Sequence, residues 1–236
     1  MLLSVILPCH NEAGCVALFG RQLFPALDRL GVPYEVIAVD DGSDDGTGAD
    51  LRRLAAERTG FKAVSHERNR GLGAALRTGF AAASGDWIVT LDADLTFHPS
   101  QIRALMERQQ TTGADLVAGS PFLAAGGAAQ VPWLRRLPSL MVNALYRGLC
   151  GPRLTAYTPI FRLYRAAVLR TLRLESAGFE INAEIAARFL AAGRSVAEVP
   201  AVLTVRALGR SKLSPFRELW RHGRLAARLL REAKPG

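Results

Sequence analysis

Residues 86–99 read Asp86-Trp-Ile-Val-Thr-Leu-Asp-Ala-Asp-Leu-Thr-Phe-His-Pro99. Trp87 to Leu91 is a short, β-rich apolar run, the pattern of a strand buried on both faces. It stops at Asp92-Ala93-Asp94, a spacing that puts both carboxylates on one face of an extended chain. Like charges held that close repel, and each tends to neutralise the other. A hard divalent cation removes the conflict, and Mg²⁺ or Mn²⁺ prefers such oxygen ligands. An isolated Asp-x-Asp is also an ordinary polar loop. The rest of the chain decides between the two.

Upstream, Leu2 to Leu7 is a strand that ends in Pro8-Cys9-His10-Asn11-Glu12, followed by a helical stretch to Leu30. Tyr34 to Val39 is a second strand, ending in Asp40-Asp41-Gly42-Ser43-Asp44-Asp45-Gly46-Thr47. Asp45 or Thr47 can cap the helix that follows. Phe61 to Ser65 is a third strand, and Arg68-Asn69-Arg70-Gly71-Leu72-Gly73 leads into a helix to Ala83. After the Trp87 strand, Ser100 caps a helix to Thr111, and Leu116 to Gly119 is a fifth strand. Strands alternating with helices predict a mostly parallel sheet with helices on both faces. Ligands collect at the carboxyl ends of such strands, and Glu12, Asp40 and Asp92 each follow a strand there.

The second half is less regular. Trp133 to Leu149 reads as a helix interrupted by Pro138, Ile160 to Tyr164 as a strand, and Phe179 to Ala192 as a helix. Glu180 and Glu184 share one face of that helix. Val196 to Val205 is extended around Pro200, and Ala124 to Gln130 is a small-residue loop. Gly71-Leu-Gly73 does not make a dinucleotide fingerprint: Leu76 stands at the third glycine position, and the loop does not follow its strand directly.

With 236 residues, 49% hydrophobic and 22% charged, the chain has material for one generous α/β domain or two small ones. Three cysteines, Cys9, Cys15 and Cys150, show no metal-ligand spacing and suit a reducing cytosol. No apolar window is long enough to span a bilayer, and the start does not read as a signal peptide. The net charge of +9 is uneven: no acid lies between Asp115 and Glu175, where eight arginines occur. A carboxylate-rich half beside an arginine-rich half suits a cation on one side and a phosphate-bearing partner on the other. Nothing in the pattern points to nucleic acid.

Taken together, Pro8-Cys-His-Asn-Glu12, Val39-Asp-Asp-Gly-Ser-Asp-Asp-Gly-Thr47, Asn69-x-Gly71-x-Gly73-x-Ala75 and Asp92-Ala-Asp-Leu95 resemble the family 2 glycosyltransferases of GT-A fold. Gly178-Phe-Glu-Ile181, Glu184 and Arg206-x-x-Gly209-x-Ser211-Lys212 are similar to the dolichol- or polyprenyl-phosphate mannosyl/glucosyltransferase branch. The resemblance covers residues 2 to 213 and implies a Rossmann-like GT-A domain, with residues 1–120 as nucleotide and metal half and 121–213 as acceptor half.

The resemblance also implies roles. Pro8, His10, Glu12, Val39 and Asp40 line the nucleotide, Asp92, Ala93 and Asp94 lie at the diphosphate and metal, and Arg206 and Lys212 approach the diphosphate. Arg135 and Ser139 match the spacing that holds a lipid phosphate. The expected partners are a GDP- or UDP-sugar, a polyprenyl phosphate and Mg²⁺ or Mn²⁺, with the protein on the cytoplasmic face of the membrane. An acceptor phosphate is already anionic and needs no base; a hydroxyl acceptor would need one, and Glu180 or Glu184 could serve. Here the chain differs from the family at His10 (usually tyrosine), Thr96 (usually glutamine), Pro121 (usually arginine) and Thr158-Pro-Ile160 (usually a small Ser-Gly).

Residues 214–236 form a last element. Ser214 and Pro215 open a helix in which Arg217, Arg221, Arg224, Arg228 and Arg231 make one stripe beside Phe216, Leu219, Trp220, Leu225 and Leu229. Such a basic amphipathic helix can lie on an anionic membrane, or its apolar side can pack on the catalytic domain.

Overall fold

A computed structural model describes residues 1–123, 133–204 and 215–232. The chain alternates strand and helix as its periodicity predicts: β1 (Leu3–Cys9), α1 (Ala13–Leu18), α2 (Phe24–Asp28), β2 (Tyr34–Asp40), α3 (Thr47–Glu57), β3 (Phe61–Ser65), α4 (Leu72–Ala82), β4 (Trp87–Thr90), α5 (Ile102–Thr112) and β5 (Leu116–Ser120). There follow α6 (Trp133–Cys150), β6 (Arg162–Arg165), α7 (Ala166–Leu169), α8 (Ile181–Ala191), β7 (Val196–Pro200) and α9 (Pro215–Glu232). The strands form one 7-stranded sheet in the order β3-β2-β1-β4-β6-β5-β7. Only β6 runs antiparallel to its neighbours.

Alternation along β1 explains why helices cover both faces. Leu3, Val5 and Leu7 enter one apolar cluster with Phe19, Phe24, Ile102 and Leu105, while Ile6 enters the other with Leu76, Tyr146, Tyr164 and Phe189. Three elements differ in detail from the sequence reading. The first helix is broken by a π-helical turn, Phe19–Leu23, just before Pro25, whose missing N–H cannot continue the regular ladder. Pro138 does not interrupt α6, which is one α-helix. Before α5, Pro99–Gln101 is a 3₁₀ turn, and the side chain of His98 caps it by accepting from Ser100 N–H. The loop expected at 124–130 and the Ser214 cap lie outside the described residues.

Helix α9 packs its apolar side on the domain. Leu225 and Ala226 are buried, and Leu229 packs on the cluster that holds Tyr146. His222 is also buried, with its Nδ1 3.2 Å from Tyr146 Oη. The arginine stripe is accordingly divided. Arg228 Nη2 donates to Glu184 at 2.7 Å and Nη1 to Glu175 at 2.8 Å, while Arg217, Arg224 and Arg231 are exposed.

Burial lowers the His222 pKa against the opposing pull of Glu180. The neutral imidazole is therefore favoured in the folded state. Its contribution is present above an unfolded value of about 6.5 and fades as pH falls below it. Deleting residues 215–236 should lower the melting temperature by more than roughly 5 °C, because it strips cover from Tyr146 and leaves Glu184 without Arg228. Between about pH 7.5 and pH 5.5, wild type should lose more stability than His222→Gln, measured by calorimetric melts. Equal losses would detach α9 docking from that imidazole.

Candidate active site

The site grows from a divergence in the sheet. Strand β1 keeps its β2 partner as far as Cys9↔Asp40 but pairs with β4 only to Ile6↔Thr90. The last contact on that side is Leu91 N–H to the Ile6 carbonyl at 3.1 Å. Alternation of the backbone turns Ile6 and Pro8 toward β4. The missing Pro8 N–H thus falls where no ladder remains to be broken, which permits proline in a central strand. The crossover from the carboxyl end of β1 runs to β2 on one side, while the chain leaving β4 runs to α5 and β5 on the other, so a crevice opens between them.

The register sets Pro8 beside Val39 and Cys9 beside Asp40, so the residues expected to line a nucleotide converge on one edge. Backbone bonds knit the loops that carry them. Asn11, in the left-handed region at φ 55°, donates its N–H to Ser43 Oγ at 2.9 Å and accepts Asp44 N–H on Oδ1 at 2.9 Å. Glu12 N–H donates to Thr47 Oγ1 at 2.7 Å. The Asp45 carboxylate accepts Thr47 N–H at 3.0 Å and Ala13 N–H at 3.2 Å, so one side chain serves the N-termini of α1 and α3. Burial works to raise the Asp45 pKa, but the hydrogen bonds from the Thr47 hydroxyl and from the Thr47 and Ala13 amides outweigh it, and the net shift is downward. Asp40 is buried and accepts Ser43 N–H at 3.0 Å. A side chain at Gly48 would put its Cβ 2.3 Å from Asp40 Oδ2, so α3 approaches this closely only because residue 48 is glycine.

Beside them, Asp92-Ala93-Asp94-Leu95 is a turn closed by Leu95 N–H to the Asp92 carbonyl at 3.0 Å. Asp94 Oδ1 accepts Thr96 N–H at 3.1 Å. Both aspartates are half-buried and Ala93 is buried. Leu95 holds φ 54° while buried, a conformation that costs a non-glycine residue about 1–2 kcal/mol and is held by its core packing. Thr204 donates its N–H and Oγ1 to the Thr96 carbonyl at 3.0 and 2.8 Å, tying the segment after β7 to this turn. Arg206 and Lys212 lie outside the described residues.

Among the described residues no third histidine, cysteine or acid joins Asp92 and Asp94 as a metal-binding group. The pair nonetheless fits Mg²⁺ or Mn²⁺, which commonly takes one or two carboxylates and fills its remaining positions with water and phosphate oxygens.

On the side expected to meet the acceptor, Ser139 Oγ lies 2.9 Å from Thr158 Oγ1, joining α6 to the loop before β6. Glu198 fixes the start of that loop by accepting Thr155 N–H at 2.7 Å and Ala156 N–H at 3.1 Å. Arg135 belongs to α6, and its side chain lies outside the described residues. Of the two acids considered as bases, Glu184 is fully buried and accepts Ser176 N–H at 2.8 Å and Arg228 Nη2 at 2.7 Å, so it is committed to structure. Glu180 spends Oε1 on Gly178 N–H at 3.1 Å, and its buried Oε2 has no hydrogen-bond partner among the described residues.

Two further residues were not among the sequence candidates. Asp41, buried, accepts Arg70 N–H at 2.9 Å, Gly71 N–H at 2.8 Å and the His66 ring at 2.7 Å, joining the loops after β2 and β3. His66 Nε2 in turn lies 2.8 Å from Thr78 Oγ1 on α4. Arg162, wholly buried at the start of β6, donates to the carbonyls of Asn182 and Tyr157. The glycine loop is closed by the chain itself. Gly73 N–H donates to the Ala177 carbonyl at 2.8 Å, and a Cβ on Gly73 would stand 2.1 Å from the Ser176 carbonyl oxygen.

A sheet of this order with an Asp-x-Asp turn at its crevice is the architecture of a GT-A glycosyltransferase. The family model described as glycosyl transferase family 2 matches residues 4–173. The chain is 33% identical over 222 residues to polyprenol monophosphomannose synthase of Mycolicibacterium smegmatis, covering 89% of this chain and 80% of that protein. It is 34% identical over 171 residues to undecaprenyl-phosphate 4-deoxy-4-formamido-L-arabinose transferase of Edwardsiella ictaluri, covering 72% of this chain but only half, 50%, of that protein. Among solved structures, glucosyl-3-phosphoglycerate synthase of Mycobacterium tuberculosis, in complex with Mn²⁺, UDP and phosphoglyceric acid, aligns with TM-score 0.68 and 27% identity over 100% of this chain and 80% of its own. Mannosyl-3-phosphoglycerate synthase of Rubrobacter xylanophilus aligns at TM-score 0.77 and 15% identity over 98% and 74%, a likeness of fold. The chain belongs to glycosyl transferase family 2.

Gly48→Ala should weaken UDP or GDP binding at least about tenfold by displacing the Asp40 carboxylate, with little loss of melting temperature. Titration calorimetry checks this, and unchanged affinity would remove Asp40 from the nucleotide site.

Proposed function

We propose that this protein is an inverting glycosyltransferase that moves a hexose, mannose or glucose, from a GDP- or UDP-sugar to a polyprenyl phosphate at the cytoplasmic face of a membrane. The observation that carries the reading is the convergence, on one crevice, of the Pro8–Asp40 edge with the half-buried Asp92–Asp94 pair. The relative that shares 80% of its length with this chain bears the name of a polyprenol monophosphomannose synthase, which supports the lipid acceptor. Metal-bound structures of the glucosyl-3-phosphoglycerate synthase support Mg²⁺ or Mn²⁺.

Each residue then has a task. Pro8, His10, Glu12, Val39 and Asp40 hold the nucleoside, and Asp92, Ala93 and Asp94 face its diphosphate. Asp92 and Asp94 would hold a divalent cation, which would neutralise the charge that builds on the departing nucleoside diphosphate. Arg206 and Lys212 add positive charge there; Thr204, two residues before Arg206, is bonded to Thr96, two residues after Asp94, which favours that approach. Arg135 and Ser139 orient the acceptor phosphate, whose oxygen attacks the anomeric carbon as the bond to the diphosphate breaks. That oxygen is already anionic, so no base is required.

A second reading keeps the donor side and replaces the lipid by a soluble phosphorylated acceptor. It is favoured by the 27% identity, across the whole chain, to a structure bound to phosphoglyceric acid. A radiolabel transfer assay offering polyprenyl phosphate and 3-phosphoglycerate in parallel, with a panel of nucleotide sugars, separates the two. Transfer to neither would leave a nucleotide-sugar-binding protein.

Asp94→Asn should lower turnover roughly a hundredfold or more through lost leaving-group stabilisation, and excess chelator should do the same. Full activity under either condition would sink the metal assignment. Arg135→Ala should raise the acceptor KM about tenfold or more while nucleotide affinity holds, since the phosphates lie on opposite sides of the sugar. A parallel fall in both would make Arg135 a donor-side or folding residue.

A further inference from the structure

Helix α6 has an inner and an outer face, and both are apolar. Val142 and Tyr146 point inward and are buried, with Asn143, whose Oδ1 accepts Tyr157 N–H at 2.7 Å. On the outer face Leu137, Leu140, Met141 and Leu145 follow the spacing of a single helical stripe. Their exposures are 41%, 45%, 60% and 38%. Large aliphatic side chains lined up in water are not what a solvated helix carries, and a contiguous stripe of this kind marks a contact surface. Helix α9, packed against α6, exposes Leu219 and Trp220 as well, and the Arg224 guanidinium sits 4.7 Å over the Trp220 ring.

Charge identifies what can cover this stripe. Helix α6 contains no acid, and none occurs in the sequence from residue 116 to residue 174. Arg147 on α6 and Arg217, Arg224 and Arg231 on α9 are exposed. The acids of α9 are engaged already: Glu218 lies 3.0 Å from Arg221, and Glu232 lies 2.8 Å from Arg188. A second copy docked through the same face would set arginine against arginine. An anionic bilayer matches both features, taking the aliphatic stripe into its interface and the arginines at its headgroups.

We propose that the outer face of α6, centred on Leu140 and Met141 and joined by Trp220 of α9, docks this protein on an anionic lipid surface. The contact deepens the reading of a lipid-borne acceptor and rests on it for its purpose. Ser139 adjoins Leu140 on the same helix and is turned toward Thr158, so the stripe begins beside the acceptor side of the site. Helix α9 contributes through its outward residues, while its apolar side remains packed on the domain.

The test is flotation of the full chain with vesicles of phosphatidylcholine, with and without phosphatidylglycerol, for wild type and the double variant Leu140→Glu/Met141→Glu. Both positions are exposed, so calorimetric melts of the variant should match wild type. Wild type should float with the anionic vesicles, and the variant should bind at least about tenfold more weakly. Equal binding by both proteins, or no binding by wild type, would overturn the proposal. So would a wild-type dimer in sedimentation equilibrium that the variant dissociates, which would assign the face to a second copy. Transfer to a short-chain, water-soluble polyprenyl phosphate distinguishes this failure from failure of the function. If that acceptor is glycosylated equally by both proteins while wild type ignores vesicles, the docking face is wrong and the acceptor class stands. If wild type floats through Leu140 and Met141 but glycosylates no polyprenyl phosphate, the docking face stands and the acceptor class falls.

Discussion

Everything at the functional edge depends on where β1 loses its second partner. β1 and β2 stay paired to Cys9 and Asp40, whereas the β4 ladder ends at Ile6 and Thr90. Had β4 run on, Pro8 would have left a carbonyl of a central strand without its donor, and the Asp92–Asp94 turn would have been absorbed into the sheet. Because it stops, the chain must turn at once. The turn requires a left-handed residue, and Leu95 takes that conformation under the constraint of its core packing. The acid pair is thus placed by hydrogen-bond register and apolar packing together, and neither would suffice alone.

A second constraint holds the loops around that crevice. Asp41 gathers two backbone N–H groups and the His66 ring at a site removed from water, where an unpaired carboxylate would be costly. The Gly71–Gly73 turn is thereby drawn against residues 176 and 177, whose carbonyls occupy the α4 N-terminus that a phosphate-binding loop would leave open. Asp45 plays the same part between α1 and α3. Carboxylates that read in the sequence as one acidic cluster therefore divide. Asp41 and Asp45 each tie two loops together, while Asp40, Asp92 and Asp94 edge the crevice.

That division marks how far the sequence is legible. The succession of strands and helices and the residues at strand ends follow from apolar runs broken by Pro8, Asp40 and Asp92, because a buried strand and its polar terminus are both local patterns. Asp41 was visible only as charge, since its partners at His66, Arg70 and Gly71 lie 25 to 30 positions away. The π-helical turn before Pro25 and the unbroken α6 through Pro138 show a related limit: a proline forbids one hydrogen bond, and tertiary packing decides how the helix accommodates it. Glu184 was similarly ambiguous until Arg228 reached it from a helix 44 positions downstream.

The C-terminal helix illustrates why periodicity alone cannot assign a partner. An apolar stripe beside a basic stripe satisfies a membrane and a protein core equally well. The choice falls to the surface that α9 meets, and here that surface carries Tyr146, Glu175 and Glu184, one aromatic and two acids matched to His222, Leu225 and Arg228. Docking α9 in this way has a consequence for α6. With its inner face already filled by Tyr146 and Val142, α6 keeps Leu140 and Met141 outside, among residues that include no acid to pair with a neighbour's arginine. Among the described residues nothing covers this aliphatic face, and leaving it in water forgoes the stability that burying it would add. What the folded chain touches is the natural place to look for its role.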